Sequence, residues 1–252
     1  AYPELVTTEA ERQLPTLEEV ARAAGVSRAT VSRVINGSAR VSPAARQAVD
    51  RAVTKLGYIP NRAARSLVTR RTDSIALVVP ETGGRLVSDP FLIGALQGVT
   101  TGLASTELQL VLLVAQRAGD TDRLLRYLRS GHVDGALVVS HHREDHLPDE
   151  LRRAGLPCVF LGRPLQPGNV RVPYVDADNV GGGHAAGEYL VQQGARRIAT
   201  IAGPADMPPG VDRLEGWRVA MREAGLPADA VIHGDFTAMG GAKAMSRLLE
   251  RW

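Results

Sequence analysis

A capping-box pattern at Thr16 and Glu19 constrains the fold of this chain more than any other feature, because it fixes where a helix starts. In such a box the threonine hydroxyl accepts a hydrogen bond from an amide of the first turn. The glutamate carboxylate in return accepts one from the amide of the capping residue. Gly25 can take the left-handed conformation that ends a helix. The pattern therefore predicts a short helix between Thr16 and Gly25.

The signals that follow predict two further short helices. Ser27 can cap a second helix that ends at Asn36-Gly37, and Ser42-Pro43 supplies a cap and a first-turn proline for a third. Apolar residues recur at helical spacing in all three segments. Three short helices with a glycine-containing turn between the first two predict a helix-turn-helix unit. In DNA-binding proteins the second helix of such a unit enters the major groove.

The charge of the chain is concentrated in the same region. Residues 16–71 hold eleven Lys and Arg against three acidic residues, a net charge of +8, whereas the whole chain of 252 residues carries +3. A basic segment on a mildly acidic body is typical of a protein that binds nucleic acid through one end. On charge alone, a solvated basic surface remains open.

Side chains of the predicted second helix have the chemistry to read DNA. Arg28 and Arg33 lie outside its apolar stripe, and a guanidinium can donate paired hydrogen bonds to guanine, while Ala29 can contact a thymine methyl. Ser27 and Thr30 suit phosphate oxygens, which fix register without reading sequence. The alternative is that the two arginines only solvate a small helical bundle.

The stretch from Thr16 to Asn36 resembles the headpiece of the lactose-repressor and galactose-repressor (LacI/GalR) family of bacterial transcriptional regulators. It matches the family pattern TLxxVAxxAGVSxxTVSRVLN, with only Ile35 differing. The later family pattern Gly-Tyr-x-Pro-Asn-x-x-Ala-x-x-Leu matches from Gly57 to Leu67 without a gap. The resemblance therefore extends from the helix-turn-helix into the hinge that follows it.

This resemblance implies a set of DNA contacts. Arg28, Ala29 and Arg33 take base-reading positions, and residues 61–68 correspond to a hinge helix that folds on operator DNA. A short helix is marginal in water by itself, which agrees with folding on binding. Leu67 takes the place of a leucine that is wedged into the minor groove and bends the duplex; an ordinary linker leucine is the alternative. The expected DNA-binding residues are Thr16, Ser27, Arg28, Ala29, Thr30, Ser32, Arg33, Asn36, Tyr58, Asn61, Ala64 and Leu67.

Beyond residue 73, short apolar runs alternate with segments of helical periodicity. The apolar runs are Ile75–Val79, Leu110–Val114, Ala136–Val139, Cys158–Leu161, Ile198–Ala202 and Ala230–Ile232. The helical segments are about 90–103, 121–129, 179–193, 212–224 and 239–251. This alternation predicts a parallel, doubly wound α/β architecture, which binds ligands at the carboxyl ends of its strands.

The family resemblance continues, more loosely, through this α/β body. It implies a periplasmic-binding-protein-like effector domain with two lobes and a ligand cleft between them. The fold class is therefore an all-α helix-turn-helix headpiece plus an α/β two-lobed periplasmic-binding-protein-like domain, with the second lobe incomplete. The segments that carry the resemblance are Asp89-Pro90-Phe91, Val133-Asp134-Gly135, Asp178-Asn179 with Gly182, and Arg213-x-x-Gly216-Trp217.

Within this body, the resemblance implies Arg213 as the main polar contact of an effector. A guanidinium fork suits sugar hydroxyls or a carboxylate. A lobe-stabilising salt bridge from Arg213 to Asp212 or Glu215 is the alternative. Phe91 can pack its ring on a sugar, or it can be a core residue. The expected effector-binding residues are Phe91, Asp178, Arg213 and Trp217.

Other patterns favour ordinary structure over chemistry. Gly181-Gly182-Gly183 lacks the strand and the Lys-Ser/Thr of a phosphate loop, and Asp176-x-Asp178 lacks the later ligands of a calcium loop. Three histidines could bind a metal, but their irregular spacing in a polar loop favours solvated side chains; they are His141, His142 and His146. We expect no cofactor, no metal and no enzymatic activity, since no nucleophile turn is present.

The predicted domains are an N-terminal extension (residues 1–15), the helix-turn-helix domain (16–60), the hinge helix and linker (61–72), a first effector lobe (73–175) and a partial second lobe (176–252). Chains of the family continue well beyond the position of Trp252, and this chain starts at Ala1. We therefore expect a fragment or a truncated gene product. An unfinished lobe would expose apolar strand edges and helix faces.

The expected function is a cytoplasmic, nucleoid-associated transcriptional repressor. It would bind a palindromic operator in double-stranded DNA as a homodimer, under allosteric control by a small-molecule effector, a sugar by the resemblance. A solute-binding protein of a transport or sensing system is the alternative, which the basic head and the lack of a signal-peptide pattern disfavour. No apolar run approaches the 18 residues of a membrane span, and a single cysteine fits a reducing compartment.

Overall fold

The structure is a computed structural model of the chain. It describes residues 15–60, 66, 69, 71–81, 88–115, 118–139, 142–143, 147–164 and 172–252. The chain divides into two compact units, Ala1–Arg70 and Arg71–Trp252. The predictions for Asn61, Ala64 and Leu67 lie outside the described residues, and so do those for His141 and His146.

Local capping interactions build three helices within residues 15–60 of the first unit, which are α1 (Leu17–Ala24), α2 (Arg28–Ile35) and α3 (Pro43–Leu56). The capping box is present: the Glu19 amide donates to the Thr16 hydroxyl at 3.3 Å, and the Thr16 amide donates to the Glu19 carboxylate at 2.7 Å. Ser27 and Ser42 cap α2 and α3. Gly25 ends α1 with φ of 65°. The predicted helix signals are confirmed one by one.

The core of this first unit is small and aliphatic. Val20, Val31 and Val49, one from each helix, are fully buried. Tyr58, which follows α3, packs against the same cluster. Because the core uses only one face of α2, the opposite face of that helix lies at the surface.

A parallel five-stranded sheet begins the second unit, with strand order β2-β1-β3-β4-β5. The chain runs from β1 outward to β2 and then crosses to β3 on the other side of β1. The carboxyl ends of β1 and β3 therefore border a topological switch point, where sheets of this kind bind ligands. The elements are β1 (Ser74–Val79), α4 (Pro90–Leu103), β2 (Gln109–Val114), α5 (Ala118–Arg129), β3 (Gly135–Val139), α6 (Leu147–Arg153), β4 (Cys158–Leu161) and β5 (Tyr174–Val175).

Helices cover both faces of this sheet. Along β1, Ala76 and Val78 pack with residues of α5 and α6, whereas Leu77 and Val79 pack with Leu92 of α4. Side chains of a strand alternate between its two faces, so a strand that is covered on both sides is apolar throughout. The doubly wound architecture predicted from the apolar runs is confirmed.

The rest of the second unit consists of three helices and a parallel two-stranded sheet of β6 and β7. Helices α7 and α8 cross with their backbones in contact. A Cβ added to Gly183 would lie 2.1 Å from the Arg213 carbonyl oxygen, and one added to Gly216 would lie 2.0 Å from that of Val180. Gly183 therefore serves helix packing. The elements are α7 (Asn179–Gln192), β6 (Thr200–Ala202), α8 (Pro208–Glu223), β7 (Val231–His233) and α9 (Ala238–Arg251).

Some boundaries differ from the prediction. Helix α8 begins at Pro208 rather than near Asp212, because proline is well suited to a first helical turn, where its missing amide leaves no bond unmade. Strand β6 begins at Thr200 rather than Ile198. The short elements α6 and β5 were not predicted. Across the described ranges, no helix is long and apolar enough to span a membrane.

Candidate functional site

Helix α2 turns a polar face outward. Arg28, Ala29 and Arg33 are exposed, whereas Val31 and Val34 on the opposite face are buried in the core of the first unit. The three residues predicted to read bases are therefore accessible together on one short helix. Their side chains combine two guanidinium groups with a methyl, the set that can distinguish guanine and thymine edges.

Arg28 has a neighbour that the sequence analysis missed. Its Nε lies 3.0 Å from Oε1 of Glu18, on α1, and the two side chains are 72% and 55% exposed. A salt bridge this exposed contributes only about 0–1 kcal/mol. Arg28 can therefore exchange this carboxylate for a base edge or a phosphate at little cost.

Hydroxyl and amide side chains surround this exposed face. The Ser27 and Thr30 hydroxyls are hydrogen-bonded to each other at 2.9 Å, and the Asn36 amide donates to the Ser32 hydroxyl at 3.3 Å. Thr16 stands at the start of α1, and Tyr58 is half-buried against the core. Groups of this kind bind phosphate oxygens in protein–DNA complexes.

Arg213 is the centre of the second candidate site. Its Nε donates to Oδ1 of Asn179 at 2.8 Å, and its guanidinium carbon lies 5.8 Å from the ring centroid of Phe236. The partners named in the salt-bridge alternative bind elsewhere. Asp212 accepts from Arg163, and Glu215 accepts from Arg222. The bond to Asn179 uses one of the five guanidinium N–H donors.

Phe236 is a component that the sequence analysis missed. It follows β7, and its backbone is left-handed with φ of 61°. A Cβ added to Gly203 would lie 2.2 Å from its ring, so the ring rests on a position that only glycine can fill. A non-glycine residue held in this region often marks a ligand-binding site. An aromatic residue four positions after the predicted strand Ala230–Ile232 was the signal available in the sequence.

Phe91 lies in the first turn of α4 and is 53% exposed, so it is not a core residue. Its backbone amide donates to the Asp89 carboxylate at 2.9 Å, which caps the helix. The exposed ring is thus held at the amino end of a helix that follows β1. It remains available as an apolar platform.

Trp217 and Asp178 each have a structural role in this unit, Trp217 as a core residue and Asp178 as a helix cap. Trp217 is 5% exposed and packs in a core with Met221, and its indole nitrogen has no hydrogen-bond partner within the described residues. The Asp178 carboxylate caps α7 by accepting from the Gly181 amide at 2.7 Å. Effector contacts for Trp217 and Asp178 stay predictions.

His142 is ion-paired rather than merely solvated. Its Nδ1 lies 2.7 Å from Oδ2 of Asp206, and its Nε2 lies 3.5 Å from Oε1 of Glu81, which is nearly buried just after β1. The hydrogen bond to Glu81, with that to Asp206, raises the pKa of His142 from 6.5 to about 9. Among the described residues no cluster suited to a metal is found.

Two family models match the chain. The model described as "Bacterial regulatory proteins, lacI family" matches residues 16–61, and "Periplasmic binding proteins and sugar binding domain of LacI family" matches residues 72–251. The chain belongs to the LacI family. This LacI-family chain is a DNA-binding transcriptional regulator, as its headpiece predicted, and the solute-binding alternative is not supported.

Curated relatives are regulators of the same family. The chain is 52% identical over 242 residues to the HTH-type transcriptional regulator CelR of Thermobifida fusca, covering 95% of this chain and 71% of that protein. It is 35% identical over 244 residues to the ribose operon repressor of Escherichia coli K12, covering 94% and 71%. The LacI-family chain therefore spans about seven tenths of the length of these relatives.

Solved structures agree with the fold of the LacI-family chain. A transcriptional regulator CelR–cellobiose complex is similar with a TM-score of 0.69 and 50% identity, and the match covers 94% of this chain and 71% of that one. The lac repressor dimer bound to operator and the anti-inducer ONPF is similar with a TM-score of 0.74, 25% identity and the same coverage. The helix-turn-helix headpiece and the α/β body are confirmed.

Proposed function

We propose that the chain represses transcription by binding a palindromic operator as a homodimer, and that a β-linked glucose disaccharide of the cellobiose type controls this binding. The exposed face of α2 carries the DNA-binding part of the proposal. Arg28, Ala29 and Arg33 read base edges there. One such helix spans a few base pairs, so a long palindromic site requires two copies. The lac repressor relative was solved as a dimer on operator.

The remaining headpiece residues fix the position of the protein on the duplex, through the phosphate backbone and, at Leu67, through the minor groove. Thr16 and Ser27 stand at the starts of α1 and α2, where amide groups and the helix dipole favour an anion. Other contacts come from hydroxyl, amide and phenol groups around α2 and from the hinge. These residues are Thr30, Ser32, Asn36, Tyr58, Asn61, Ala64 and Leu67.

The effector proposal rests on the group around Arg213. Its guanidinium offers donors to sugar hydroxyls, and the Phe236 ring beside it offers an apolar face of the kind that packs on pyranose rings. Phe91 supplies a second exposed ring from α4. The similar CelR was solved as a complex with cellobiose. The chain is also 52% identical to the CelR of Thermobifida fusca, and cellobiose is therefore its first candidate ligand.

The DNA proposal is tested by selecting palindromic duplexes from a randomised library and measuring fluorescence anisotropy at two salt concentrations. We expect the selected duplex to bind far more tightly than random DNA, and its affinity to fall steeply with salt, because phosphate contacts release counterions. Equal affinity for selected and random duplexes would refute the proposal. Sedimentation of the complex distinguishes one protein copy per duplex from the two expected.

The effector proposal is tested by calorimetric titration with cellobiose, and with maltose as the α-linked control. Arg213→Lys and Phe236→Leu are expected to weaken cellobiose binding. Arg222→Lys, an exposed substitution on the same helix, is the matched control and is expected to bind normally. Equal affinity for the two sugars, or equal binding by all variants, would contradict the assignment.

The chain is further proposed to act by binding and not by catalysis. Its relatives are regulators, and the candidate site offers a guanidinium and aromatic rings rather than a nucleophile with a base. Cellobiose incubated with the protein is expected to remain intact by chromatography. Release of glucose that disappears in Arg213→Lys would overturn this expectation.

A further inference from the structure

A buried side-chain amide, that of Asn179, is hydrogen-bonded to the guanidinium of Arg213. Asn179, the first residue of α7, is 6% exposed. Its Nδ2 donates to Oδ1 of Asp176 at 3.0 Å and to the Ala177 carbonyl at 3.2 Å, and its Oδ1 accepts from the Arg213 Nε at 2.8 Å. The two N–H groups and the oxygen of this side chain are therefore all hydrogen-bonded.

The partners of Asn179 permit only one orientation of its amide. On the nitrogen side, Asp176 and the Ala177 carbonyl can only accept, whereas on the oxygen side the Arg213 Nε can only donate. A flipped amide would place donor against donor at Arg213 and acceptor against acceptor at Asp176. Because unmade hydrogen bonds of a buried group are costly, the oxygen of Asn179 stays directed at Arg213.

We infer that Asn179, held by Asp176, is a positioning residue that aims the guanidinium of Arg213 at the ligand. This inference rests on the proposed function, in which Arg213 binds the sugar. An arginine side chain has several rotatable bonds, and ordering them on binding weakens affinity. With Nε fixed by Asn179 and the guanidinium beside the Phe236 ring, the outer nitrogens are oriented before the ligand arrives.

Asp176 also connects Asn179 to the salt bridge between Arg163 and Asp212. Its Oδ2 accepts from the backbone amide of Arg163 at 2.9 Å, and the Arg163 guanidinium donates to both carboxylate oxygens of Asp212 at 2.7 and 2.8 Å. Asp212 precedes Arg213 in α8, so the bonds form a closed ring through the helix backbone. Replacing Asp176 removes its hydrogen bonds to Asn179 and to the Arg163 amide, whereas replacing Asn179 removes the bond to the Arg213 Nε and leaves the bond between Asp176 and the Arg163 amide in place.

The positioning itself is measured without any ligand, by the exchange of the Arg213 Nε proton with water in NMR. The resonance is assigned by its loss in Arg213→Lys. Exchange is expected to be slow in the unaltered chain and at least about tenfold faster in Asn179→Ala, since an exposed N–H exchanges more freely than a bonded one. Gln192→Ala removes a side-chain amide from an exposed site on the same helix, and it is expected to leave the exchange unchanged.

Asp176→Ala provides a second variant, because this residue is at the surface and its loss leaves the α7 cap at Asp178 in place. We expect it to accelerate the exchange of the Arg213 proton to a lesser degree, since the Ala177 carbonyl still holds the amide. An unchanged exchange rate in Asn179→Ala, with the chain folded by circular dichroism, overturns the inference. If Asn179→Ala does not fold, an unchanged rate in Asp176→Ala overturns it.

Titration with cellobiose gives the second readout. Asn179→Ala is expected to weaken binding at least about tenfold, with the same number of binding sites, because Arg213 must then be ordered by the ligand. Faster proton exchange with unchanged cellobiose affinity would overturn the positioning role. Failure of the unaltered chain to bind cellobiose would instead refute the proposed effector. The proton exchange would then decide alone whether Asn179 orients Arg213.

Discussion

Raising the pH through the titration range of His142 is expected to destabilise the second unit. The imidazole lies between the carboxylates of Asp206 and Glu81, and these raise its pKa from 6.5 to about 9. A group whose pKa is higher in the folded state stabilises that state fully below its unfolded pKa, and the contribution is lost as the pH rises through the folded value. The stabilising contribution of His142 is therefore lost between about pH 6.5 and about pH 9.

The size of the effect follows from the shift and from the exposure of the groups. A shift from 6.5 to about 9 corresponds to roughly 3 kcal/mol if none of it is screened. The side chains of His142 and Asp206 are 37% and 52% exposed, however, so solvent screening reduces the contribution to about 1 kcal/mol. In a unit of this size, that free energy lowers the melting temperature by about 2–4 °C.

Thermal unfolding is followed by circular dichroism from pH 6 to pH 10 for the unaltered chain and for His142→Gln. The difference between their melting temperatures isolates His142, since other titrating groups affect both proteins. We expect this difference to be largest near pH 6 and to vanish above about pH 9. His132→Gln removes an imidazole that stacks on Tyr127 instead, and it serves as the matched control. A difference for His142→Gln that is constant with pH, or grows with it, would refute the reasoning.

Three further substitutions test other parts of the molecule. Arg33→Ala is expected to cost about 1–3 kcal/mol of operator binding and to relax base preference at one position in a duplex library; a uniform loss over all sequences would identify a phosphate contact. Gly216→Ala is expected to destabilise the chain by about 3 kcal/mol in urea unfolding, because its methyl would lie 2.0 Å from the Val180 carbonyl oxygen. In the control Gly241→Ala the added methyl would meet no atom within 4 Å, so this substitution should be neutral or stabilising. Leu67→Ala is expected to reduce operator bending measured by energy transfer between end-labelled duplexes, and an unchanged bend would contradict the wedge.

The headpiece could be predicted from the sequence because its signals are local. Thr16 and Glu19 bind each other across one helical turn, and Ser27 and Ser42 each cap the helix that directly follows them. Such interactions depend on residues three positions apart and need no knowledge of the tertiary fold. The sheet was predicted for a related reason, since strands covered on both faces are apolar runs.

The partners of Arg213 could not be predicted in the same way. Asp212 and Glu215 are its neighbours along α8, and local spacing therefore indicated them as its alternative partners. In the structure Asp212 instead binds Arg163, which lies in the loop after β4, and Arg213 binds Asn179 of α7. Both contacts join residues far apart in the chain, so they follow from how the elements pack and not from local spacing.

The helix crossing explains why Asn179 and Arg213 are within hydrogen-bonding distance. Gly183 of α7 and Gly216 of α8 let the two backbones touch, and no bulkier residue fits at either contact. The separation of the two helices is therefore fixed by close packing, which resists compression and shift far more than one hydrogen bond does. A site is held most accurately when its side chains stand on rigid elements. Substitutions at Gly183 or Gly216 should thus disturb the Arg213 guanidinium without changing any group that contacts it.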